Sequence, residues 1–95
     1  MLLNSTPKLD LHGETVLMVG PLVNQFIYDN YLYGNKVVRI IHGKSTNILT
    51  KEVHNILKYN SYVESFNLNN WNLGETIVIL KENKAWQVTI IYCII

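Results

Sequence analysis

The sequence predicts an α/β domain, a two-layer βαβαββ sandwich with a mixed four-stranded sheet and two main helices. A short apolar strand ending in His-Gly and running into a polar helix start occurs twice: Leu9-Asp10-Leu11-His12-Gly13-Glu14-Thr15 and Arg39-Ile40-Ile41-His42-Gly43-Lys44-Ser45-Thr46. The two histidines lie 30 residues apart, room enough for a crossover helix between parallel strands. After the first corner the apolar spacing changes from strand-like to helix-like, and the same change follows the second. If the two strands are neighbours in one sheet, both His-Gly corners emerge at the same carboxyl edge, where open α/β sheets place their ligands.

The elements follow in order. Pro7 to Leu11 is a short strand with Pro7 at its start, where a missing N–H does least harm. Val16, Val19, Val23, Phe26 and Ile27, flanked by Leu22 and Leu32, recur at three- and four-residue steps and mark an amphipathic helix to about Tyr33. Gly20-Pro21 should kink or split its second turn, because Pro21 removes a backbone hydrogen bond. Gly34-Asn35 closes this helix. Lys36 to His42 is a strand whose unbroken apolar run suits a buried central position. After a turn at Gly43 to Asn47, Leu49, Val53, Ile56 and Leu57 form the stripe of a second helix ending near Asn60. Tyr62 to Leu68 is a third strand, the Asn-rich stretch Asn67 to Asn72 a loop, and Thr76 to Leu80 a fourth strand. The tail from Ala85 to Ile95 is too apolar to be left in water; it is expected to add an edge strand to Thr76–Leu80 or to pair with another subunit, which would favour a homodimer.

Ninety-five residues make one domain with no room for a separate substrate domain. No apolar run reaches the roughly 18 to 20 residues that cross a bilayer, and the first residues lack a basic, apolar leader, so the expected location is the cytoplasm, without membrane association. Cys93 is the only cysteine, which excludes an intramolecular disulfide and argues against a thiolate metal cluster. Charge is uneven. Residues 36–58 hold Lys36, Arg39, Lys44, Lys51 and Lys58 against Glu52, a net +4, while the remainder carries −3. This reads either as a phosphate-binding face or as ordinary solvated positions.

Leu9 to Gly13 reads LDLHG and His42 to Asn47 reads HGKSTN, in the order and spacing of the two hallmarks of the Smr (small MutS-related) domain, and the chain resembles that family over residues 7–80; residues 81–95 form an apolar extension beyond it. The resemblance implies a two-layer α/β fold, association with RNA or DNA, and in several members endonuclease activity. It implies cleavage roles for Asp10 and His12, and a role for His42, Gly43 and Lys44 from the second motif. It also suggests a ribosome or a MutS-like protein as partner.

The residue chemistry fits. A histidine near neutral pKa can move a proton during phosphodiester cleavage, a carboxylate can fix its tautomer, and a lysine can stabilise charge on phosphate. The expected catalytic set is Asp10, His12 and His42. The expected nucleic-acid contacts are Arg39, Gly43, Lys44, Ser45, Lys51 and Trp71, the last as a stacking surface or else a packing residue. A strand-end hydrogen bond between Asp10 and His12, or a packed His42, is the structural alternative, and His54 reads as an ordinary surface residue. Ser45 and Asn47 stand where the family commonly has glycine, and only Gly74 remains of its glycine-rich segment. No metal site is read from the residues, no dinucleotide, Walker or HExxH motif is present, and the need for a divalent metal is left open. The alternative function is a catalytically silent module that binds RNA, ribosome or protein through the same edge.

Overall fold

The computed structural model describes residues 6–44 and 47–83; the expectations for Ser45 and for the tail at 85–95 lie outside the described residues. The elements are β1 (Lys8–Asp10), α1 (Val16–Leu32), β2 (Val37–Ile41), α2 (Ile48–Tyr59), β3 (Val63–Asn69) and β4 (Asn72–Leu80). They form a four-stranded sheet of order β1-β2-β4-β3, in which β1 and β2 are parallel and β4 runs antiparallel to both β2 and β3. The mixed two-layer α/β architecture is the one expected.

Strand alternation sorts the side chains into two faces. Val38 and Ile40 of β2, and Val78 and Leu80 of β4, are buried with Val19, Val23 and Ile27 of α1 and Val53 and Leu57 of α2. Both helices therefore cover one face. The other carries Arg39 and Glu75, which meet across β2 and β4 at 3.5 Å.

Three expectations change. Pro21 lies inside a continuous α1 rather than splitting it. The carbonyl it deprives of a partner is that of Leu17, a residue 88% exposed, so water can take up the lost bond. Gly20 faces α2, where a Cβ would meet Ile56 Cδ1 at 3.8 Å, an ordinary packing contact. Second, β4 begins at Asn72, so the expected Asn-rich loop is a tight hairpin. Asn side chains fold it: Asn69 Oδ1 accepts from the Trp71 N–H at 3.0 Å and Asn72 Oδ1 from the Gly74 N–H at 3.0 Å. Third, both sides of Thr76–Leu80 are already paired, with β2 and with β3, so no further strand can be added there. The free edges of the described sheet are those of β1 and β3.

The C-terminus of α1 is stapled by polar groups. Gly34 takes the left-handed conformation, with φ +80°. The buried Asn30 side chain donates to the Phe26 carbonyl at 2.9 Å and accepts from Asn35 Nδ2 at 2.8 Å. Ile27, one residue group deeper, is fully buried. We expect Ile27→Ala to cost about 2–5 kcal/mol in urea unfolding, whereas Leu17→Ala on the exposed face should stay within about 0.5 kcal/mol.

Candidate functional site

The two His-Gly corners meet because parallel pairing continues past the end of β1. Asp10 is in register with Ile41, and the next amide, Leu11 N–H, donates to the Ile41 carbonyl at 2.7 Å. Each chain then turns away at a glycine with φ +85°, a conformation L side chains rarely adopt. A Cβ at either Gly13 or Gly43 would meet nothing within 4 Å, so the backbone at both corners is open to a ligand.

The first corner is a turn closed by Glu14 N–H to the Leu11 carbonyl at 2.9 Å, with Gly13 at its third position, as a type II turn requires. Asp10 braces it: its Oδ1 accepts the backbone N–H of His12 at 2.9 Å. Asp10 and His12 are both exposed. The Asp10–His12 contact is thus to backbone, and among the described residues the His12 imidazole has no hydrogen-bond partner.

The second corner is held from β4. The Gly74 carbonyl accepts both the His42 N–H at 2.9 Å and the Gly43 N–H at 3.0 Å. Gly74 is also where the Lys44 stem lies: a Cβ there would come within 3.1 Å of Lys44 Cγ. The glycine retained before the fourth strand is therefore a seat for the loop. α2 starts at Ile48, with no acid in its first turn and no side-chain cap from Asn47, so its N-terminus lies at this edge with Lys44 before it and Lys51 in its first turn.

His42 is not exposed at this edge. Its ring is buried, with Nδ1 2.8 Å from Thr50 Oγ1 and 3.1 Å from the Gly43 carbonyl, and Nε2 2.8 Å from Thr76 Oγ1. It shares the edge with His12 but is spent on holding the loop, because the residue after Ile41 turns inward under α2. His54, expected at the surface, is the residue sequence reasoning missed. It is half-buried, its Nε2 lies 2.8 Å from the same Thr76 hydroxyl, and its ring packs 5.1 Å from that of Phe66. The signal was there: Thr50 and His54 are four residues apart, so they share the helix face that carries Val53 and Leu57. Burial, and secondarily the neighbouring His42, push the His54 pKa below its ordinary value of 6.5.

The expected basic stretch divides by position. Lys44 and Lys51 are at the site; Lys36 precedes β2 and Lys58 lies in the last turn of α2, both at the opposite edge of the sheet. Arg39 lies on the helix-free face, where Nη1 reaches Glu75 and the buried Nε has no partner among the described residues. Glu75 is held in turn by Asn69 Nδ2 at 2.8 Å. Trp71, at the hairpin tip, is 97% exposed at the same edge as the glycine corners. No three His, Cys, Asp or Glu side chains converge among the described residues as metal ligands do, and no described helix is long and apolar enough to cross a membrane.

Two predictions follow from this geometry. Gly43→Ala should cost about 1–2 kcal/mol by backbone strain alone, since the methyl group meets open space; calorimetric unfolding measures it. The stability that neutral His54 contributes is complete above its unfolded value near 6.5 and is lost as pH falls below it towards the depressed folded value. The urea midpoint should therefore fall between about pH 7 and pH 5, and fall less in His54→Gln.

Comparison with known proteins bears on the same residues. The sequence matches the Smr domain over residues 9–81. It is 35% identical over 80 residues to Endonuclease MutS2 of Halothermothrix orenii, a match covering 84% of this chain and 10% of that protein, so the chain spans about a tenth of the length of this relative. The fold superposes with a TM-score of 0.77 on the crystal structure of the Smr domain of Thermus thermophilus MutS2, at 29% identity, covering 80% of this chain and 99% of that one. The stand-alone small MutS-related protein YdaL from Escherichia coli has the same fold, with a TM-score of 0.77 at 24% identity over 82% of this chain and 66% of that one. With both motifs in register on this fold, the chain belongs to the Smr domain family.

Proposed function

We propose that this domain binds nucleic acid at the carboxyl edge of β1 and β2 and cleaves it there. The observation that carries the reading is the juxtaposition of an exposed His12, on a turn braced by Asp10, with a glycine-and-lysine loop at the start of α2. The relatives named Endonuclease MutS2 support the same reading.

In this scheme the backbone at Gly13 and Gly43, the amides opening α2, and Lys44 and Lys51 receive phosphate oxygens. His12 moves the proton of the attacking or leaving oxygen. Asp10 keeps the turn in place and so holds His12 at the phosphate. Trp71 offers a π-face to a base beyond the phosphate contacts. His42 acts through the loop it anchors, and Arg39 serves the opposite sheet face, where Glu75 offsets its charge. The burial of His42 favours one second reading, a binding module whose corners hold a ligand without cleaving it.

The test is cleavage of labelled single-stranded RNA and duplex DNA, with and without divalent metal, by the full chain and its variants. His12→Ala should lower the cleavage rate by about 10²- to 10⁴-fold with little change in binding. Binding without cleavage by the parent chain selects the silent module, and binding by neither substrate overturns both readings. In a salt titration, Lys44→Ala and Lys51→Ala should each reduce the log–log slope by about 0.7 to 0.9, and Arg39→Ala by less.

A further inference from the structure

The Thr76 hydroxyl is fully buried in β4, yet it is the meeting point of two imidazoles. His42 Nε2 and His54 Nε2 each lie 2.8 Å from Thr76 Oγ1, with the rings 6.1 Å apart and nearly perpendicular. A hydroxyl has a single proton to donate and accepts through its lone pairs. If both ring nitrogens carried protons, the hydroxyl proton would have no acceptor; if neither did, one nitrogen would lack a partner. Every atom is satisfied when one Nε2 donates to Thr76 and Thr76 donates to the other.

The two histidines differ at their remaining nitrogen. His42 Nδ1 faces Thr50 Oγ1 at 2.8 Å and the Gly43 carbonyl at 3.1 Å, so it is served whether protonated or bare. An added proton on His42 therefore fits: Nδ1–H and Nε2–H both donate, and Thr76 donates to a bare His54 Nε2. An added proton on His54 Nε2 while His42 donates fills both lone pairs of Thr76 Oγ1 and leaves the buried hydroxyl proton without one of the two imidazoles as acceptor, so the relay from ring to ring is lost. His42 is the titratable group that faces His54. Thr76 from β4, Phe66 from β3 and Thr50 from the same helix are neutral; Lys51 and Lys58, one turn to either side on α2, are exposed, and Glu75 of β4 points to the opposite face and is held by Arg39 and Asn69. Burial and His42 depress protonation of His54 in the same sense.

The bridge has a mechanical consequence. Thr50 and His54 sit on α2, Thr76 on β4 and His42 at the mouth of the loop, so the chain of bonds ties the first turns of α2 and the loop to the central strand. We propose that Thr76 and His54 are positioning residues for the second loop, fixing His42 and through it Gly43 and Lys44 by a hydrogen-bonded chain that accommodates one imidazolium but not two. The role rests on the reading that this loop holds phosphate. Acidification then weakens ligand holding at the loop by releasing α2 from β4.

Two measurements on the full chain test this. Long-range ¹H–¹⁵N spectra of the ¹⁵N-labelled protein report the state of each ring nitrogen. At neutral pH the Nε2 atoms of His42 and His54 should be in opposite protonation states, and this opposition should survive Thr76→Ser but not the isosteric Thr76→Val. Like states at the two Nε2 atoms in the parent protein, or an opposition indifferent to Thr76→Val, overturn the bridge. Binding of a fluorescent oligouridine then reads the function. The parent-to-His54→Gln ratio of affinities cancels the protonation of His12, and should fall by about three- to tenfold between pH 7.5 and pH 5.5. The parent-to-Thr76→Ser ratio should stay nearly constant. A constant parent-to-His54→Gln ratio overturns the positioning role with the nucleic-acid reading intact. Failure of the parent to bind at the higher pH overturns that reading, and with it the role of the loop, while the spectra still decide the bridge.

Discussion

The site depends on the parallel pairing of β1 with β2. The pairing is short, from Lys8–Arg39 to Asp10–Ile41 with one further bond at Leu11, yet it is the contact that puts the two corners side by side. Leu9 and Leu11 anchor it in the core, so burying two leucines also fixes where His12 emerges. Because β1 is an edge strand, little else holds that corner. The Asp10 side chain makes good the difference by accepting the His12 amide, which would otherwise be an unpaired donor at the end of a strand.

The second corner is built the other way, from inside the sheet. β2 is central, flanked by β1 and β4, and the loop that leaves it is held by the Gly74 carbonyl below and the His42 side chain within. An imidazole bonded at both nitrogens in a buried position is a rigid strut whose loss leaves polar atoms unpaired at a cost larger than the bonds themselves gain. The two histidines of the paired motifs thus differ in setting: His12 is exposed at the surface and His42 holds the loop from beneath.

Much of the fold was readable in the sequence for a physical reason. The stripes on α1 and α2 and the unbroken apolar run of β2 reflect burial, which side-chain spacing reports directly. Polar networks have no such period. The spacing of Thr50, Val53, His54 and Leu57 gives the inner face of α2 for His54 but not its partner, because Thr76 lies 22 residues away on a strand whose register is a tertiary fact. Arg39 is a parallel case: it is near Lys44 and Lys51 in sequence, but strand alternation sends it to the helix-free face, against Glu75 36 residues on. Placing a charge in sequence is not placing it in a field.

The hairpin between β3 and β4 turns on asparagine side chains rather than on glycine. Glycine gives a turn by permitting conformations that other residues avoid; asparagine can give one by supplying a side-chain acceptor for the turn's own amides. Here Asn69 and Asn72 do this on either side of Trp71, and every described residue with positive φ is a glycine, at 13, 34 and 43. The hairpin therefore turns without backbone strain at its tip. Glycine is kept at 74 for a different reason, since a Cβ there would crowd Lys44 Cγ at 3.1 Å and Asn72 Oδ1 at 3.2 Å. A tip fixed by its own side chains holds the Trp71 backbone in a defined place with the ring exposed, so that segment gives up less backbone freedom on meeting a ligand than a loose glycine loop would. Asparagine at 69 and 72 thus makes this edge a preorganised hairpin rather than a permissive loop.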